Sequence, residues 1–115
     1  MRSKLGDIVR LQHILDAILE IESYTLNIEF EDFKENKMMG FACIKQLEII
    51  GEASNHISED IKYKFHTIVW SQIIGMRNIF VHEYFGVDFA IVWEIINNDI
   101  PDLKGKIIQI METIK

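Results

Sequence analysis

A chain of 115 residues makes one domain, long enough to enclose a real core but near the lower end for ample stability. Its formal net charge of −6 argues against general nucleic-acid binding, which rests on phosphate neutralisation; such a ligand would need a local positive cleft. Hydrophobic residues make up 49 %, more than a small monomer easily hides, so an interface between copies is expected.

A lone cysteine, Cys43, excludes an internal disulfide, and no Cys/His cluster has zinc spacing. The N-terminus shows no uninterrupted apolar core of the kind a secretion signal carries, and no apolar run approaches the ~20 residues of a membrane span. The expectation is a soluble cytoplasmic protein with no membrane partner and a single domain over residues 1–115.

In chain order, Ile8, Leu11, Leu15, Ile18 and Glu22 recur at 3–4 spacing, with Ile14 and Ile21 widening the stripe, and predict an amphipathic helix from about Ser3 to Tyr24. Leu26 to Phe33 mixes acids with isolated apolar residues and reads as a loop with a short helical turn. A second long helix is predicted from about Lys37 to Ile57, with Phe41, Ile44, Leu47, Ile50 or Gly51, and Ser54 on one face. Ser58 can cap a short helix toward Phe65. The next helix should run from about Val69 to Tyr84, where Gly86 suits a left-handed C-terminal cap. Asp88 is a good N-cap for a fifth helix through Asn97. Asp99-Ile100-Pro101 opens a last one, in which proline occupies the first turn. No stretch alternates as strands do, so the fold class is all-α.

Chemistry concentrates in Gly75-Met76-Arg77-Asn78-Ile79-Phe80-Val81-His82-Glu83-Tyr84. Arginine is a permanent cation with a fork matched to phosphate, and histidine exchanges a proton near neutrality. Together they are a minimum kit for metal-free phosphodiester cleavage. On a straight helix Asn78 and His82 share a face, while Arg77 and Tyr84 lie nearly eclipsed two turns apart. Arg77 and His82 diverge by roughly 140°. A phosphate held by both would need a distorted helix end or a second subunit's motif.

The run Arg77-x4-His82-x-Tyr84, preceded by Trp70-Ser71-Gln72-Ile73-Ile74-Gly75-Met76, resembles the HEPN superfamily, and within it the HepT-like toxins of MntA–HepT toxin–antitoxin systems. The likeness also takes in Asp7-Ile8-Val9-Arg10-Leu11-Gln12-His13-Ile14-Leu15-Asp16-Ala17-Ile18, Leu47-Glu48-Ile49-Ile50-Gly51-Glu52-Ala53, Val87-Asp88-Phe89, Val92-Trp93 and Asp99-Ile100-Pro101-Asp102-Leu103. A bare Arg-x4-His is a weak signal; the extended run with its flanks is a strong one. One departure stands out: Tyr63-Lys64-Phe65-His66 occupies the place where relatives tend to have Tyr-Pro before the motif helix.

The resemblance implies an antiparallel HEPN bundle of about five to six helices that dimerises. It further implies an endoribonuclease toxin needing neither metal nor cofactor, with RNA as substrate and an MntA-like nucleotidyltransferase antitoxin as partner. Arg77 and His82 would be catalytic, Asn78 supporting, and Tyr84 the tyrosine the antitoxin modifies with AMP. The alternative is a non-catalytic helical module that binds a nucleotide or docks a nucleotidyltransferase, with Arg77 and His82 as phosphate ligands only.

Elsewhere the simpler readings hold. Glu52 and His56, at i,i+4, could share a metal but lack a third ligand, and read better as a helix-face pair. His13 and His66 read as surface residues, and Glu29, Glu31, Asp32 and Glu35 as a solvated acidic patch. Lys62 and Lys64 are secondary candidates for a positive cleft around Arg77. Gly51 and Gly75, inside predicted helices, suggest close helix–helix approach as compensation for their poor helix propensity.

Overall fold

The computed structural model describes residues 4–78 and 88–114, and all the regular structure among them is helical. Helix α1 spans Lys4–Thr25, α2 Phe30–Glu35, α3 Lys37–Asn55, α4 Glu59–Lys64 and α5 Trp70–Gly75; the last tightens into a 3₁₀ turn over Met76–Asn78. After residue 88 come α6 (Phe89–Glu94), a π-helical stretch (Ile95–Asp99) and α7 (Ile100–Ile114).

α1 and α3 form the central pair. Leu11, Ile14, Ile18 and Ile21 of α1 are sealed against Cys43, Ile44, Leu47 and Ile50 of α3. The buried ridge of α1 therefore runs through Ile14 and Ile21. Leu15 is only half-buried, and the exposed Glu22 turns aside to bond Lys104 of α7 at 3.0 Å. The two helices are antiparallel, since the end of α1 meets the first half of α3 (Gln46 to Tyr24, 3.3 Å) and its start meets the residue capping α4, Ser58. α7 is antiparallel to α1 as well: Lys104 reaches Glu22, while Lys4 shares a recess with Thr113 and Ile114.

Asp7 closes one end of this bundle. It is 4 % exposed, accepts from Ser58 N (2.8 Å) and Ser58 Oγ (2.6 Å), and thereby fixes the hydroxyl that caps α4 at Ile61 N. The expected Ser58 cap is present, now tied 51 residues back along the chain.

The local differences have physical causes. The segment expected as mostly loop holds a full helix, α2: Asn27 takes a positive φ of 59°, and Phe33 then buries completely. Asn36 caps α3 by accepting from Met39 N at 3.0 Å. The turn lacking Tyr-Pro is built around the Phe65 carbonyl, which accepts from Ile68 N (3.2 Å) and Trp70 Nε1 (3.2 Å).

The Asp88 cap is as expected, at 2.9 Å from Ala90 N. No break separates the last two helices, however. α6 runs into α7 through the π stretch, where the Ile100 N–H bonds the Ile95 carbonyl five residues back. Pro101 follows in the first turn of α7, and having no N–H it cannot donate to a preceding carbonyl; the widened turn lies where α-helical bonding would otherwise fail.

Phe33, Phe89 and Trp93 pack together, with ring centroids 6.0 Å apart for Phe33–Phe89 and 5.0 Å for Phe33–Trp93. The Phe89 ring lies so close over Gly40 that a Cβ there would sit 2.6 Å from it. At the other end of α3 the backbone of Gly51 meets the 3₁₀ turn. The described chain on either side of residues 79–87 thus docks on one helix, at points eleven residues or about 16 Å apart.

Candidate functional site: an arginine on the α3 platform

Arg77 sits in the 3₁₀ turn that continues α5, and two neighbours in α3 fix its two ends. A Cβ at Gly51 would lie 2.6 Å from Arg77 N, 2.9 Å from the Ile74 carbonyl oxygen and 3.0 Å from Arg77 Cβ. Only glycine permits this backbone approach, so the expected close packing at Gly51 is found. Gly75 behaves differently: it is exposed, and no atom of the described residues would meet a Cβ there. Next to Gly51, Glu52 holds the other end of Arg77, its Oε2 accepting from Nη1 at 3.3 Å. The second carboxylate oxygen of Glu52 bonds His56 Nε2 at 3.1 Å. The imidazole, carboxylate and guanidinium therefore form a chain along the surface of α3.

The guanidinium faces an open groove lined by Lys45, Glu48, Ile49, Glu52, Arg77 and Asn78. The Arg77 side chain is 35 % exposed, so a dissolved anion can reach it, and Asn78 beside it is exposed. On the far side of Glu52 and Ile49 a second shallow recess takes in Val9, Arg10, His13 and His56. His13, expected merely at the surface, is exposed but opens onto this recess.

Of the four expected site residues, Arg77 and Asn78 are brought together on the groove, while His82 and Tyr84 lie outside the described residues. The tightening at Met76–Asn78 departs from the straight helix assumed from the sequence, because 3₁₀ turns advance ~120° per residue, and so changes the relative azimuths of Arg77 and Asn78.

Lys62 and Lys64 do not line the groove. Lys62 reaches the Asn55 carbonyl (3.5 Å) and Glu59 (3.7 Å), and Lys64 lies over the Phe65 ring and lines the recess beside Asp7. The groove's second cation is Lys45, which sequence reading passed over. The signal was there: Lys45, Ile49, Glu52 and His56 recur at 3–4 spacing down the exposed face of α3.

Among the described residues no three His, Cys, Asp or Glu side chains gather as a metal site, and Glu52 and His56 bond each other directly. The acidic residues Glu29, Glu31, Asp32 and Glu35 are exposed, with Glu31 paired to Lys34 at 3.3 Å. His66 is exposed. No described helix is long and apolar enough to cross a membrane.

A helical bundle here presents an arginine and an amide on an open groove, with the arginine braced by a carboxylate, and a guanidinium is a side chain whose donors match phosphate geometry. The chain belongs to the HepT-like family of the HEPN superfamily: the family model described as "Ribonuclease HepT-like" matches residues 14–110. Among similar proteins, a "Probable ribonuclease HepT" of Thermococcus cleftensis is 47 % identical over 96 residues, covering 84 % of this chain and 87 % of the relative. A "Putative RNase" of Methanocaldococcus jannaschii is 39 % identical over 97 residues, 84 % of this chain and 89 % of its own length. A further "Putative RNase", from Caldanaerobacter subterraneus, is 36 % identical over 105 residues, 91 % of this chain and 94 % of the relative. No solved structure matches the chain significantly.

Proposed function

We propose that this protein is a metal-independent endoribonuclease, the toxin of a toxin–antitoxin pair, acting as a homodimer on RNA in the cytoplasm. The observation that carries the reading is the Arg77 guanidinium, held by Glu52 at the edge of an open groove in a chain of the HepT-like family. In the reaction, His82 takes the proton of a ribose 2′-hydroxyl, whose oxygen attacks the adjacent phosphorus. The P–O5′ bond breaks, and the leaving oxygen takes a proton from an imidazolium. Arg77 balances the charge that builds on the phosphoryl oxygens, and Asn78 orients the phosphate. The products are a 2′,3′-cyclic phosphate and a 5′-hydroxyl end.

Dimerisation brings two Arg77/His82 sets around one cleft. The reading is supported by apolar surface beside the groove: Val9 is 45 % and Ile49 36 % exposed, next to Glu52. Control falls to Tyr84, whose phenolic oxygen attacks the α-phosphorus of ATP on a partner nucleotidyltransferase and releases pyrophosphate. The attached AMP brings a phosphate that competes with RNA for Arg77.

The test is RNA cleavage by purified protein with and without EDTA. Cleavage should survive the chelator and fall ~100- to 10,000-fold in Arg77→Ala and His82→Ala while the circular dichroism spectrum is kept. Loss of activity with EDTA, or wild-type activity in His82→Ala, rejects the mechanism; RNA binding without cleavage in the wild type favours the non-catalytic module. Co-expression with the partner should add AMP mass to the wild type and none to Tyr84→Phe, and equal gain in both would place the modification elsewhere.

A further inference from the structure

We infer that Glu52 is a positioning residue of the cleavage site, acting through Arg77, with His56 steadying the carboxylate from behind; this rests on the proposed ribonuclease activity. Three observations carry it. Gly51 brings the α3 backbone against Arg77 N, so the start of the arginine side chain has a fixed place relative to α3. The very next residue, Glu52, then bonds the far end of the same side chain at Nη1. A long, rotamer-rich side chain is thus pinned at root and head by adjacent residues of one rigid helix, as catalysis requires of a group that must meet a transferring phosphate. Finally, Glu52 splits its two oxygens between Arg77 and His56, one turn further along α3, so its own orientation is set by a second bond.

Glu52 engages Arg77 through Nη1 alone, a single contact that leaves the planar fork able to turn its remaining donors to a phosphate. The alternative role for a carboxylate here is competition: it would occupy the guanidinium and weaken RNA binding. The two roles predict opposite results. Positioning makes Glu52 favourable to turnover, whereas competition makes its removal tighten binding. Among the described residues, the other charged groups around the carboxylate are Lys45 and Glu48 in the same groove, and Arg10 and His13 across the α1 side. The split between binding and turnover therefore discriminates better than a pH profile.

The experiment measures kcat and KM of the full chain on a short fluorogenic RNA for wild type, Glu52→Gln, Glu52→Ala, His56→Ala, Arg77→Ala and the double variant Glu52→Ala/Arg77→Ala. The expected result is a kcat about 10-fold lower in Glu52→Ala with KM changed less than about 3-fold. Glu52→Gln, which keeps an acceptor oxygen, should recover part of the loss, and His56→Ala should lose less than Glu52→Ala. The double variant should be no worse than Arg77→Ala alone, as for residues that act as a unit. Melting temperatures should stay within about 2 °C of wild type, because the ion pair is exposed. Unchanged kcat in Glu52→Ala, or a lower KM with equal or faster turnover, overturns the positioning role while leaving the ribonuclease reading intact. A further loss in the double variant overturns action through Arg77. RNA left whole by the wild type overturns the ribonuclease reading itself and this inference with it.

Discussion

Substituting Gly51 by alanine probes the contact on which the site is built. The added methyl would stand 2.6 Å from Arg77 N and 2.9 Å from the Ile74 oxygen, both main-chain atoms that no rotamer change can move. Restoring an ordinary contact of ~3.4 Å requires α3 and the 3₁₀ turn to separate by roughly 0.8 Å. Overpacking of this kind costs typically 1–3 kcal/mol, and the gain in helix propensity from glycine to alanine returns about 1 kcal/mol. A net loss of about 1 kcal/mol follows, a fall of ~4 °C in melting temperature for a chain of this size. The effect on cleavage should be far larger than on stability, because a displacement near 1 Å at a catalytic group can cost ~100-fold. Thermal melts and cleavage rates on the same preparation check both. Gly51→Ala with raised melting temperature and wild-type cleavage would refute the reasoning, since it would mean the two backbones do not touch.

Gly75→Ala should do the opposite and raise stability by up to about 1 kcal/mol in a urea melt, since its helical site is exposed and an added Cβ meets none of the described residues. Asp7→Ala leaves the Ser58 N–H and hydroxyl without their acceptor and should cost about 1–3 kcal/mol, read as a drop in urea midpoint at unchanged slope. Cys43 is fully buried, and desolvation lifts its thiol from 9.0 to about 11, so native protein should resist iodoacetamide until it unfolds. The same thiol makes stability pH-dependent. The folded state keeps its proton between pH 9 and 11 while the unfolded chain releases it. The contribution is thus complete below pH 9 and falls away as pH rises, by about 2 kcal/mol at pH 11. Cys43→Ala should lack that part of the alkaline decline, as denaturation against pH would show.

Helical periodicity located α1 and α3 to within a few residues, because each carries a long apolar ridge, while Asp99-Ile100-Pro101, with its first-turn proline, located the start of α7. Residue type located the Ser58 and Asp88 caps, since short polar side chains at a helix start have one common use. What stayed hidden depended on partners distant in sequence. The Asp7–Ser58 bond spans 51 residues, and no local pattern announces it. Glu52 and Arg77 lie 25 apart, so the carboxylate read only as a helix-face partner of His56, and Lys45 was passed over. The 3₁₀ turn escaped for a related reason: tightening a helix by one bond leaves hydrophobic spacing over three residues unchanged. Arg77 and Asn78 line the groove, and the roles of Arg77, Asn78, His82 and Tyr84 alike stand as proposals for mutagenesis.

The π stretch between α6 and α7 sets the phase of everything after it. One residue more or fewer in a helix rotates the rest by ~100°. A π turn takes in one residue more than an α turn, so it absorbs that residue locally and keeps the helix on either side in step. A single deletion within Ile95–Asp99 would let the stretch relax to plain α-helix and leave Ile100, Leu103, Ile107, Ile110 and Ile114 facing the core. The same deletion in the body of α7 has no widened turn to take it up and would swing the buried residues beyond it away from α1 together. The junction is thus the point of slack: length can change there singly, whereas within α7 it has to be accompanied by many changes at once.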